Sequence, residues 1–131
     1  MRPKKIWANL GVKDVQKTMQ FYTALGFKPN TGSNNGKELA SFLIGDDDFV
    51  VHFFNLDTFT ESIQAKQMDL SQGNEIIFTL WSDSIEEVNA WAEEVRKAGG
   101  VIFSEPEAFG KGYYGFGFAD PDGHKWNVFH M

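Results

Sequence analysis

The chain has no cysteine. That excludes disulfides, thiolate zinc sites and a cysteine nucleophile, and it agrees with a reducing, cytoplasmic compartment. Positive charge is also short: 12 Lys and Arg stand against 18 Asp and Glu, a formal net charge of −6. Beyond the first five residues there is no basic stripe, so a nucleic-acid partner is not expected. No apolar run comes near the roughly 20 residues that cross a bilayer. The Lys-rich start, Met1-Arg2-Pro3-Lys4-Lys5, lacks the apolar core of a signal peptide. A soluble protein with no membrane partner is expected.

Aromatic residues are what the chain has in quantity: 13 Phe, 4 Trp and 3 Tyr among 131 residues. Such side chains fill a core or wall a pocket for an organic ligand, and composition does not separate the two. Charged residues at 23% and hydrophobic ones at 42% argue against disorder. The length suits one compact domain, or two small modules sharing a core.

The most informative stretch runs from Phe118 to Phe129. Pro121 fixes φ, Asp120 and Asp122 offer carboxylates to nearby amides, and Gly123 supplies a backbone conformation other residues resist, so a strand, a tight turn and a second strand are predicted. After the turn, residues alternate. His124, Trp126 and Val128 share one face, suited to burial under a helix, while Lys125, Asn127 and Phe129 share the other. A degraded copy lies about 75 residues earlier, where Gly45 to His52 align with Asp120 to Asn127 and bring His52 opposite Asn127.

Taken in order, residues 4–12 read as a first strand. Asp14 is an N-cap, and Val15, Thr18, Met19, Tyr22 and Leu25 line one face of a helix that stops at Gly26. Phe27 to Pro29 begin a short strand, and Asn30 to Gly36 have the composition of a flexible loop or lid. Leu39 to Ile44 and Phe49 to Phe54 are strands across Gly45-Asp46-Asp47-Asp48, a turn without the alternating acids of a calcium loop. Residues 56–73 read as a linker with a short helix around Phe59, Ile63 and Met68. The order then repeats: a strand from Glu75 to Trp81, an N-cap at Ser84 with Glu87 completing a capping box, and a helix with Ile85, Val88, Trp91, Ala92 and Val95 on one face. Gly99-Gly100 ends it. Val101 to Ser104 is a strand, Pro106 to Gly112 a loop and Tyr113 to Ala119 a strand, with Gly115 and Gly117 leaving one strand face bare. The fold class is α+β, in two tandem βαβββ modules of about residues 1–55 and 74–131 that form one domain.

Val12-Lys13-Asp14-Val15, the helix residues Phe21-Tyr22 with Leu25-Gly26-Phe27, and Asp120-Pro121-Asp122-Gly123-His124-Lys125-Trp126 together resemble the vicinal oxygen chelate superfamily. That superfamily includes glyoxalase I, fosfomycin- and bleomycin-resistance proteins and extradiol dioxygenases. The opening Pro3-Lys4-Lys5-Ile6 and the close are most similar to a bacterial branch labelled predicted lactoylglutathione lyases. The resemblance implies a curved, cup-like mixed sheet with helices outside, modules often exchanged in a homodimer, and a divalent metal held in the cup at four strand positions. In this chain those positions carry Trp7, Ile77 (or Ile76 with a one-residue slip), His52 and Asn127. One imidazole and one carboxamide fall short of the three or more donors such metals take, so no cofactor is expected.

Strand alternation fills in the cup wall. Trp7 and Asn9 join from the first strand, Val50 and Phe54 flank His52, Glu75, Ile77 and Thr79 join from the fifth strand, and Lys125 and Phe129 flank Asn127. The candidate ligand-binding residues are therefore Trp7, Asn9, His52 and Phe54 with Ile77, Thr79, Asn127 and Phe129. Three functions compete: a metal-free binder of a small organic compound, a metal-dependent lactoylglutathione-lyase-like lyase or isomerase using His52 with donors such as Glu75 or Glu38, and an oligomeric or regulatory module without a small ligand.

Overall fold

The computed structural model describes residues 1–33, 36–64 and 73–131. Residues 34–35 of the Asn30–Gly36 loop and Met68 of the linker lie outside the described residues. Backbone contacts divide the chain into two compact units, Met1–Asp69 and Leu70–Met131. The first holds β1 (Ala8–Val12), α1 (Val15–Ala24), β2 (Lys28–Pro29), β3 (Leu39–Ile44), β4 (Phe49–Asn55) and α2 (Leu56–Ser62). The second holds β5 (Ile77–Trp81), α3 (Ile85–Ala98), β6 (Val101–Phe109), β7 (Tyr113–Ala119) and β8 (Lys125–His130). Their sheets run β1-β4-β3-β2 and β5-β8-β7-β6, each with one parallel pair, β1 with β4 and β5 with β8. The βαβββ order is thus used twice.

In the first unit, the Asp14 carboxylate accepts the Lys17 N–H at 3.0 Å and starts α1, and Gly26 at φ 88° ends it. A left-handed residue there lets the chain turn back, which a Cβ would resist. The helix lays Val15, Thr18, Phe21 and Tyr22 on the sheet. Tyr22 is the centre of this core, stacked on Phe53 at 4.6 Å between ring centroids and within 5.6 Å of Phe42. Phe21 belongs to the buried face as well, beyond the stripe read from spacing.

In the second unit, Val88, Ala92 and Val95 of α3 are buried against the sheet whose inner residues are Phe116, Phe118, Trp126 and Val128. Ile85, expected on that face, is 44% exposed. The Ser84 hydroxyl accepts the Glu87 N–H at 3.1 Å, but the reciprocal bond shifts by one residue: the Glu87 carboxylate accepts from Asp83 N–H at 2.6 Å and from the Ser82 hydroxyl at 2.7 Å. These two bonds hold the Glu87 carboxyl below the usual range. Ser84→Ala removes the cap and is expected to cost about 1 kcal/mol, read from the midpoint of urea unfolding.

The final hairpin is set by one buried carboxylate. Asp120 Oδ1 accepts the N–H groups of Asp122 at 3.0 Å and His124 at 2.8 Å, and Gly123 takes φ 96°. His124, Trp126 and Val128 are buried on the α3 side, as alternation requires.

Three strand limits differ from the sequence reading by two residues or more. β1 begins at Ala8, so Trp7 precedes it, and β5 begins at Ile77, so Glu75 and Ile76 precede it. The third difference is larger: β6 continues through Pro106 to Phe109, where a loop was expected. Its pairing with β7 slips between Ile102 and Ser104 and again between Ser104 and Glu107. Proline lacks an N–H and is tolerated in a strand at such irregular places, which reconciles its presence with the strand.

Candidate functional site

Each sheet has one face under its long helix and one face turned away from it. In the first unit, pairing registers align Asn9 with His52 and His52 with Ser41, one row across β1, β4 and β3. Ser41 is buried and accepts from the Asn30 amide at 3.2 Å. Phe54 lies along the same strand face, its ring 5.7 Å from the His52 ring. At the end of this face α2 closes in: a Cβ on Gly11 would fall 2.7 Å from Leu56 Cδ1 and 3.0 Å from Phe59 Cδ1. Glycine is what lets α2 sit there. Trp7 is 53% exposed, so it is not core filling.

The His52 ring is half-buried, yet its Nδ1 is shut off from water and has no hydrogen-bond partner among the described residues. Desolvation lowers its pKa below the usual 6.5. The sign follows from linkage: the unfolded chain protonates first, so the fold keeps its full stability above pH 6.5 and loses part of it as pH falls from there. His52→Gln is expected to flatten that part of the stability profile, measured by urea unfolding at stepped pH. An unchanged slope would remove His52 as its source.

The equivalent row in the second unit aligns Thr79 with Asn127 and Asn127 with Gly117. Asn127 thus holds the place in β8 that His52 holds in β4. The expected sharing of a face by Ile77, Thr79, Lys125, Asn127 and Phe129 follows from the same registers. Around this row the surface is aromatic and open, with Trp81 at 58%, Phe103 at 46% and Tyr113 at 39% exposure. The bare side of β7 is filled by rings from its neighbours. A Cβ on Gly115 would meet Phe129 Cδ1 at 2.4 Å and the Val128 carbonyl at 2.5 Å, and one on Gly117 would meet Phe103 Cε2 at 2.4 Å.

Clefts open on this unit among the described residues. The first, about 210 Å³, is floored by Gly115 and Gly117 and walled by Phe103, Phe109 and Phe129, with Ser104, Glu107 and Asn127 supplying polar groups. The second, about 280 Å³, lies between Thr79, Trp81, Tyr113, Phe129 and Met131. Phe129 borders both. Of the residues singled out from sequence, Thr79, Asn127 and Phe129 line these clefts. Trp81, Phe103, Glu107, Phe109 and Tyr113 were missed. The Gly115–Gly117 pair was their available signal, because a face without side chains in a packed sheet must be occupied by something else.

The metal implied by the resemblance finds a poor donor set. His52 offers an imidazole and Asn127 a carboxamide, while Trp7 and Ile77 offer none, and the row beside His52 contributes Asn9 and Ser41. Among the described residues no group of three or more His, Cys, Asp or Glu could hold a metal ion. These side chains do not fit a zinc, nickel or iron centre. Among the described residues, too, no helix is long and apolar enough to cross a membrane.

Comparison with known proteins adds the lineage. A hypothetical protein from S. aureus superposes with a TM-score of 0.86 at 32% identity, over 100% of this chain and 96% of the other. A glyoxalase-related enzyme from Fulvimarina pelagi gives 0.83 at 21% identity, over 97% and 88%. A lactoylglutathione lyase from Agrobacterium tumefaciens gives 0.70 at 17% identity, over 98% and 94%. These last two likenesses establish the fold alone. A search of curated proteins finds no match. The model of the Glyoxalase/Bleomycin resistance protein/Dioxygenase superfamily matches residues 6–128, and the chain belongs to that superfamily.

Proposed function

We propose that this protein is a metal-free binder of a small, planar organic compound, held on the aromatic face of its second unit. The observation that carries the reading is the glycine-floored cleft, where three aromatic walls adjoin Asn127, one of the four strand positions at which the resemblance implies a metal donor. Mostly apolar walls with a few polar groups are the makeup of small-molecule sites. A large exposed aromatic surface also costs solubility unless something covers it. Metal-dependent lyase chemistry is disfavoured by the donor set, since His52 and Asn127 together supply fewer ligands than such a centre takes.

A native mass spectrum of the purified protein tests this directly, since it reads bound metal, retained ligand and subunit number together. The expected result is protein without stoichiometric metal that gains mass, and melting temperature, on adding planar aromatic compounds. Stoichiometric zinc, nickel or iron lost on His52→Ala would overturn the reading in favour of the lyase or isomerase. Metal-free protein that responds to no aromatic compound would leave an interaction module.

A further inference from the structure

The cleft over Gly115 and Gly117 has a charge as well as a shape. Phe103 and Ser104 are consecutive, yet both face Gly117: Ser104 is its pairing partner, and the Phe103 ring occupies the space a Cβ there would need. A bulge is what turns two neighbours toward one side of a strand. The second slip brings Glu107 opposite Gly115, on the cleft side. Alternation alone would place Phe103, Glu107 and Phe109 on one face; the irregularities add Ser104 to it and set Glu107 opposite Gly115.

Glu107 is the charged residue among the nine that line the cleft. Among the described residues its carboxylate enters no hydrogen bond or ion pair, whereas Glu105, two positions earlier, is held by Arg96. Lys125 is not among the lining residues; its ammonium lies over the Phe103 ring, 5.9 Å from the centroid, so one wall of the cleft already holds a cation. The walls are aromatic rings, whose faces carry negative potential and attract cations, as the Lys125 ammonium over Phe103 does. An aromatic anion would therefore meet an unpaired carboxylate on a chain of net charge −6, and an aromatic cation would meet a partner.

We propose that this cleft takes planar aromatic compounds bearing a positive charge, and that Glu107 sets that preference; the proposal rests on the binding reading above. Three fused-ring probes of matched shape separate the two: 9-aminoacridine as the cation, anthracene-9-carboxylate as the anion and 9-anthracenemethanol as the neutral form, each titrated against the full chain by fluorescence. The cation is expected to bind about tenfold more tightly than the anion, a difference near 1.4 kcal/mol. Glu107→Gln should weaken the cation about fivefold, the scale of an ion pair with one solvent-facing member, and leave the neutral probe unchanged. The cation's affinity should also fall as salt is raised. If all three probes bind alike, or Glu107→Gln changes nothing, the charge preference is wrong while ring binding stands. If none binds, ring binding itself fails and takes the charge preference with it.

Discussion

Trp126→Ala is expected to cost about 3–5 kcal/mol of unfolding free energy. Trp126 is 1% exposed, sits between the rings of Phe78 at 4.7 Å and Phe118 at 6.4 Å, and lies near the start of β8 on the face beneath α3. Removing an indole from that position gives up its transfer free energy and leaves a cavity that surrounding rings fill incompletely. Small domains hold only about 5–15 kcal/mol in all, so the variant should unfold at markedly lower urea or temperature. Trp81→Ala is the control: at 58% exposed, Trp81 has little to lose, and a change of about 0.5 kcal/mol or less is expected. Equal losses for the two tryptophans would contradict the assignment of the buried and open faces of this sheet.

The second large effect is on binding. Phe129→Ala should weaken 9-aminoacridine by about tenfold to thirtyfold, or roughly 1.4–2 kcal/mol, because this ring borders both clefts and packs 4.8 Å from Phe109. Its stability cost should be smaller than that of Trp126→Ala, since Phe129 is only half-buried. Measuring melting temperature and affinity on the same preparation separates a lost wall from a lost fold. An affinity within about twofold of the parent chain would move the ligand away from this face.

How much of this could be read in advance depended on how local each signal was. The Asp120–His124 turn depends on bonds spanning at most four residues, and it formed as read. The alignment of His52 with Asn127 came from a repeat, and the registers give each the central place in its row, Asn9-His52-Ser41 in one sheet and Thr79-Asn127-Gly117 in the other. Alternation failed where the strand was irregular. It assumes that neighbours face opposite ways, so it could not put Phe103 and Ser104 together, and Pro106 gave a sound local reason to end β6 early. The lining of the glycine cleft fell into that gap. Trp7 and Glu75 lie just outside the strands whose period was used to place them.

Strand β6 closes its sheet at one side, next to β7. An outermost strand with regular backbone and exposed Val101, Phe103 and Phe109 would invite another chain to add itself and begin aggregation. The two slips in β6 and the missing amide hydrogen of Pro106 break that template into pieces too short to extend. The irregular backbone of the strand that carries Phe103 and Phe109 therefore keeps this hydrophobic border from growing into a fibre.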